Sequence, residues 1–421
     1  MPEPRPNDLL PVLLPDSVRA ALLAPMVDQH CCGVRRDDTT RSGFEQLIGE
    51  GGTPAPPGTT HFDTPAGLAI RRWCAPVLGL EPHAPATVYL SRRAELGAAE
   101  VNRRLLRGAG VSAFLVDTGL DAPATLTPSE MGRLGAAAAD EIVRLEQVEQ
   151  DVAEAGVPAA DYAGLLRDEL AARAARAAAL TSVAAHRCGL GFDPSRPSRG
   201  TVIAAAGRRL ADPKSRLDDP VLVRHLLWAA VDVARERALP LQFHCGVSGV
   251  GAGATGPGSS GPGFGGTGFG GPGFGGAGQA DAGVAGHLGD PARLTGFVRA
   301  LAPLGVPVVL LHCYPYHRQA AYLASVFPHV YVDAGPAVAH TAAGSAQVLR
   351  ELLEIVPFHK QMYGSGCHGV AELCFLAALC HRRGLARVLA DRIAEGEWSP
   401  ADAARIAHMI GAGNARRVYR L

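Results

Sequence analysis

VPVVLLHCYPYHRQAAYLASVFPHVYVDAG, residues Val306–Gly335, holds two apolar runs, Val306–Cys313 and His329–Asp333, separated by a stretch that reads as helical from His317 onward. Runs this continuously apolar do not alternate as a strand with one wet face would; they suit strands covered on both faces, as in a parallel sheet wrapped by helices. The same pattern recurs along the chain at Pro25–His30, Val111–Asp117, Glu141–Gln147, Ala179–His186, Leu239–Cys245 and Gln361–Ser365. Between the runs lie Ala/Arg/Leu segments of helical period, among them Ser91–Gly108, Asp161–Ala179 and Pro220–Ala238. Six βα units stand on this pattern alone. The count of eight, and with it a closed (β/α)8 TIM barrel spanning 1–421 as a single domain, leans also on the family resemblance given below.

Two stretches fall outside the barrel units. Arg35–Leu90, with its GGTPAPPGTT cluster, reads as a long insertion with short helices after strand one. Residues 246–286 follow strand five and contain the near-repeats GPGFG, GTGFG and GPGFG in a run too rich in glycine to order itself. This loop is expected to be flexible, a tolerated surface expansion, with a mobile lid as the alternative because loops after barrel strands lie on the catalytic face.

Composition narrows the function. Of 421 residues 47% are hydrophobic, ample for a core, and forty Lys+Arg balance forty Asp+Glu, so no bulk field points to nucleic acid or an acidic membrane. A small molecule is the default partner; homo-oligomerisation is left open. The N-terminus MPEPRPNDLLPVLLPDSVRAALL lacks a basic start followed by a continuous apolar stretch, and no run approaches the roughly 20 apolar residues of a membrane span. A cytoplasmic location is expected, and nine cysteines, an odd number, are read as reduced thiols rather than a disulfide framework.

The chemistry-bearing residues sit at C-terminal strand ends: Asp28-Gln29-His30-Cys31-Cys32 after strand one, Gln242-Phe243-His244-Cys245 after strand five, His312-Cys313-Tyr314 after strand six, and Gly364-Ser365-Gly366-Cys367-His368 after strand eight. A lone histidine among fifteen is usually a hydrogen-bonded structural residue. Imidazoles from three strand ends would instead converge at one barrel mouth, the geometry that a divalent metal needs.

The segments VDQHCCGV, RRWCAPVLGLEPHAP, LPLQFHCG, the strand-six block quoted above, MYGSGCHGVAEL and the closing GNARRVYRL resemble the amidohydrolase-2 family. They resemble in particular the amidohydrolase-like half of fungal FluG and plant nodulin–glutamine synthetase fusions and their free-standing bacterial relatives. The resemblance implies one divalent metal, usually zinc, held by a His-x-His pair after strand one, a His after strand five and an Asp after strand eight, with a His after strand six binding substrate or moving a proton. His30, His244 and His312 match; Cys32 stands where the second His of the pair is expected, and Gly366 where the Asp is expected. The run Thr181-Ser182-Val183-Ala184-Ala185-His186-Arg187 replaces one in which relatives begin with Lys.

A thiolate is a good zinc ligand, so Cys32 is the mildest departure. Gly366 is the most serious, because glycine offers neither oxygen nor base; Cys367 or His368 is the neighbour that would substitute for it, with Cys367 taken into the ligand set. The expected metal ligands are therefore His30, Cys32, His244 and Cys367, with His312 as acid/base. Arg187, Tyr314 and His340 are the substrate-binding candidates, Arg187 as a carboxylate clasp. The resulting reading is a metal-dependent hydrolase of C–N bonds in a small polar or carboxylate-bearing molecule, or a decarboxylase, with a degenerate metal site. The alternative is a pseudoenzyme that keeps the barrel for binding or regulation.

Overall fold

The computed structural model describes residues 10–49, 54–119, 124–246 and 286–421. Seven strands form one sheet: β1 (Met26–Cys31), β2 (Val111–Asp117), β3 (Ala138–Arg144), β4 (Ala179–Ser182), β5 (Leu241–His244), β6 (Val308–Leu311) and β7 (Val330–Val332). Every neighbouring pair is parallel and the spatial order is the chain order. A sheet that adds each strand beside the last, without the order reversal of a doubly wound fold, curls in the manner of a TIM barrel. The opening βα unit is realised as β6, helix His317–Val326 and β7. All residues of β1, β4, β5 and β6 are buried, as two covered faces require.

The expected eighth strand is not regular. Residues Gln361–Gly369 nevertheless bond both sheet edges: Met362 N donates to Val332 O (2.9 Å), Gln29 N to Tyr363 O (3.1 Å), Gly366 N to His30 O (2.9 Å) and Cys32 N to Cys367 O (2.8 Å). Left-handed φ angles at Gly366 (+57°) and Gly369 (+77°) break the strand conformation.

Strand three differs from the sequence reading by three residues. Leu145 opens helix Leu145–Glu154, whose buried Leu145, Val148 and Val152 recur at helical period, so β3 ends at Arg144. β4 likewise stops at Ser182, and Ala184–His186 forms a 3₁₀ turn. Between β1 and β2 the described residues form helix Arg41–Ile48 and several short helical turns before helices Ala86–Leu96 and Ala98–Gly108. Most of the Gly-rich stretch 246–286 lies outside the described residues.

The larger apolar cluster fills the layer between sheet and helices. A second joins Val27, Leu115, Ile142, Ala179, Val309 and Met362 to Val418 and Tyr419 of the final helix. Side chains from strands so far apart meet only across the concave face, so the C-terminal helix stoppers the inside of the curl. Among the described residues no helix is long and apolar enough to cross a membrane.

Candidate metal centre

Between the pairs Asp28–Phe114 and Cys31–Val116, β1 carries two residues, Gln29 and His30, where β2 carries one, Leu115. A bulge of this kind turns consecutive side chains to one side. Gln29 and His30 accordingly both reach Gln242 of β5: Gln242 Nε2 lies 3.3 Å from Gln29 Oε1, and Gln242 Oε1 lies 2.8 Å from His30 Nδ1. His244 is the last residue of β5, and His312 follows β6 directly in the left-handed region (φ +57°), where its backbone N–H donates to Asp333 Oδ1 at 2.8 Å.

The three rings meet edge to edge, with centroids 4.8 Å (His30–His244), 5.1 Å (His30–His312) and 4.9 Å (His244–His312) apart. All three are buried. Among the described residues, His244 Nε2 and His312 Nδ1 are buried without a hydrogen-bond partner, an arrangement that folding normally avoids. Burial pushes His244 down to about 3, pushes His312 well below the usual histidine range and lowers His30. The rings are thus neutral at physiological pH, with lone pairs aimed at a common space; one atom from each lies within 4.8 Å of the others. This donor set fits a divalent cation such as zinc.

A second group shares His30. Cys32 Sγ lies 3.8 Å from His30 Nε2, and Asp117, which ends β2, completes a set of ligand atoms within 4.8 Å of one another. Asp117 is already engaged: Arg144 at the end of β3 grips its Oδ2 with Nη2 (2.6 Å) and Nε (3.1 Å). Burial alone would raise the Asp117 pKa, but Arg144 and the nearby histidines overcome this and hold the carboxyl well below its usual range. At 3.7 Å, His244 Nε2 is within charge range of Asp117 but too far for a hydrogen bond. Burial first, then the negative charge of Asp117, pushes the Cys32 thiol up to about 12, so it stays protonated unless a cation binds.

Cys367 does not turn toward the imidazoles. It is disulfide-bonded to Cys374 on helix Ala371–Ala394, which corrects both its expected role as a ligand and the expectation of wholly reduced thiols. The physical reason is the left-handed turn at Gly366, after which the chain carries Cys367 to within bonding reach of the helix that follows. Nor is Gly366 an open gap: a Cβ there would lie 2.6 Å from His312 Cε1 and 2.6 Å from Pro336 Cδ. The missing carboxylate therefore could not be restored without moving a site histidine.

Arg187 follows the 3₁₀ turn after β4 and buries an Nε that has no hydrogen bond among the described residues. Its pKa falls to about 10 by burial, with Glu146 opposing and Arg216 and Arg144 assisting. Thr181, partner of Arg144 in the β3–β4 register, buries a hydroxyl that has no hydrogen bond among the described residues. Tyr314 is 42% exposed and stacks on His317 with centroids 5.5 Å apart. His340 is half-buried in helix Ala337–Thr341.

Residues 133–421 match the amidohydrolase family model. The chain belongs to the amidohydrolase family. Within it, the chain is 39% identical over 136 residues to Protein fluG of Emericella nidulans, a match covering 31% of this chain but only 15% of that protein. A Lactobacillus casei crystal structure, described as a metal-dependent hydrolase, superposes with TM-score 0.73 at 22% identity over 94% of this chain and 95% of its own. Uronate isomerase of Thermotoga maritima gives 0.60 at 12% over 100% of both chains, and glucuronate isomerase of Caulobacter crescentus gives 0.59 at 14% over 96% and 94%. These structural likenesses speak to fold alone. Amidohydrolase membership implies a divalent metal, and the three-imidazole cluster is where this chain could hold one.

Asp117 and Arg144 were absent from the sequence reading of the site. Asp117 closes LVD at a strand end as visibly as the histidines close theirs; Arg144 was hidden by the misplaced end of β3.

Proposed function

We propose that this chain is a metal-dependent hydrolase of the (β/α)8 type, residues 361–369 taking the place of the eighth strand, acting on a small carboxylate-bearing molecule at a C–N bond. The observation that carries the reading is the group of three neutral, buried imidazoles with two unbonded nitrogens among them. His30, His244 and His312 would hold one divalent ion, zinc by preference, with Cys32 next to it as a thiol that the ion's charge would help ionise. When bound, such an ion polarises a water or carbonyl. The burial that keeps His312 neutral suits it better to ligation than to the acid/base role read from sequence. Arg187, whose Nε is unbonded among the described residues, would offer its guanidinium to a substrate carboxylate, and the exposed Tyr314 would help bind it. The substrate is the expected partner, the cytoplasm the expected location, and homo-oligomerisation is left open.

A second reading has its own support. Asp117 is committed to Arg144 and Gly366 leaves no room for a carboxylate, so the usual proton acceptor of a hydrolytic centre has no obvious replacement; a binding barrel without turnover follows. Metal analysis of the purified chain, followed by assays on a panel of small N-acyl and ureido carboxylates, separates the two. About one zinc per chain that is lost in His244→Ala, together with hydrolysis that Arg187→Met suppresses, supports the enzyme. Bound zinc with no turnover supports the binding barrel, and a metal-free chain under zinc-replete conditions rejects the metal reading and likewise favours a binding barrel.

A further inference from the structure

Below the three rings lies a buried chain of polar groups that no ligand role accounts for. Gln29 Nε2 donates to Asp333 Oδ2 (2.6 Å), and Tyr419 OH donates to Gln29 Oε1. Gln242 Nε2 donates to Tyr419 OH (2.8 Å) and to the backbone carbonyl of Gln29 (3.1 Å), which leaves Gln242 Oε1 facing His30 Nδ1 at 2.8 Å. All of these residues are buried, Tyr419 with 6% of its surface exposed and the others with none; they stand on β1, β5, the residue after β7 and the final helix.

The polarity of the chain is fixed. A backbone carbonyl only accepts, so the Gln242 amide nitrogen must face Gln29 O, and its oxygen must face His30. An amide oxygen only accepts, so His30 Nδ1 must carry the proton. Its Nε2 is then the lone-pair nitrogen, the atom that lies toward Cys32. A histidine ligand needs one ring nitrogen bare, and the hydrogen bond made by the other decides which one that is.

We propose that Gln242 is a positioning residue that selects the Nδ1–H tautomer of His30 and so presets Nε2 for metal ligation, with Tyr419 and Gln29 holding the Gln242 amide in the required orientation. The proposal rests on the metal reading above for its use, but not for its test. It assigns a task to the C-terminal helix: Tyr419 reaches up the inside of the curl from Asn414–Tyr419 and links the last residues of the chain to the first strand.

Two measurements on the full-length chain examine it. In metal-free protein labelled with ¹⁵N in the histidine rings, the His30 signals, identified by their loss in His30→Ala, report the tautomer directly. Wild type should show Nδ1–H. Gln242→Leu, which removes the acceptor, should show a mixture or the opposite tautomer. Gln242→Glu keeps an acceptor there and should retain Nδ1–H, which distinguishes the hydrogen bond from general damage to the fold. Zinc titration against a chelator should then give weaker binding in Gln242→Leu by about 10–100-fold, the usual loss for a removed outer partner of a ligand, with Tyr419→Phe between it and wild type. A His30 in the Nε2–H form in wild type, or a Gln242→Leu variant that keeps both tautomer and zinc affinity, overturns the proposal. Absence of zinc binding in wild type with the expected tautomer instead overturns the metal reading and leaves the tautomer assignment standing.

Discussion

Replacing Arg144 with methionine tests the electrostatic account of the site. Arg144 and Asp117 form a buried bidentate pair, with side chains 7% and 0% exposed. Methionine keeps most of the length and leaves Asp117 without a counter-charge. Removing one partner of a buried pair typically costs about 3–5 kcal/mol, because the remaining charge stays desolvated. The sign of the pH dependence should also reverse. In the parent chain Asp117 has a folded pKa well below its unfolded value, so its stabilisation is present above about pH 4 and is lost on acidification below that. In Arg144→Met the guanidinium no longer opposes burial, which, against only the weaker pull of the nearby histidines, raises the folded pKa above the unfolded one. The penalty is then smallest in acid, below the unfolded pKa, and grows as pH rises through the window between the two values. Urea unfolding with a chelator present, at pH 4.5 and 7.5, should show a deficit of a few kcal/mol at the higher pH that narrows at the lower. Zinc should recover more stability in the variant than in the parent, since a cation beside His30, Cys32 and Asp117 would replace the lost guanidinium charge. An Arg144→Met chain equal to the parent in stability at both pH values would refute the reasoning.

Further outcomes follow from the same geometry. Because burial lowers the folded pKa of His30, His244 and His312, the unfolded chain takes up protons first on acidification; metal-free stability should fall as pH drops below about 6.5, and His244→Gln should flatten that slope in pH-dependent unfolding. Gly366→Ala should destabilise by about 1–3 kcal/mol from its left-handed backbone alone, and zinc affinity should fall because the new methyl presses on His312; thermal melts and chelator competition measure the two. Cys374→Ser opens a short disulfide loop and should cost on the order of 2–3 kcal/mol of stability while leaving zinc content unchanged, since Cys367 does not face the imidazoles; a loss of zinc would return Cys367 to the ligand set.

Much of the frame was legible along the chain. The apolar runs, each ended by a polar residue, marked six strands to within a few residues of their observed bounds, and placed His30, His244 and His312 at strand ends that the parallel sheet brings together. The run at Glu141–Gln147 misled by three residues, because VRLEQ satisfies both a strand ending and a helix beginning, and only the burial of Leu145, Val148 and Val152 chooses between them. The eighth run carried its glycines in plain view, yet their effect on the strand depended on what packs against them.

The sequence by itself determined the class of fold and the level in it at which the histidines stand, because burial of apolar runs between helices is a local, periodic property. Tertiary structure alone decided what each polar group in the centre is for. The β1 bulge puts Gln29 and His30 on one side; Arg144 claims Asp117; a ring of His312 fills the space above Gly366; Cys367 pairs away from the site. The pairing of Arg144 with Asp117 and of Gln242 with His30 depends on which buried donor meets which buried acceptor across residues that are distant in the chain, and in a low-dielectric interior that pairing sets protonation, tautomer and charge.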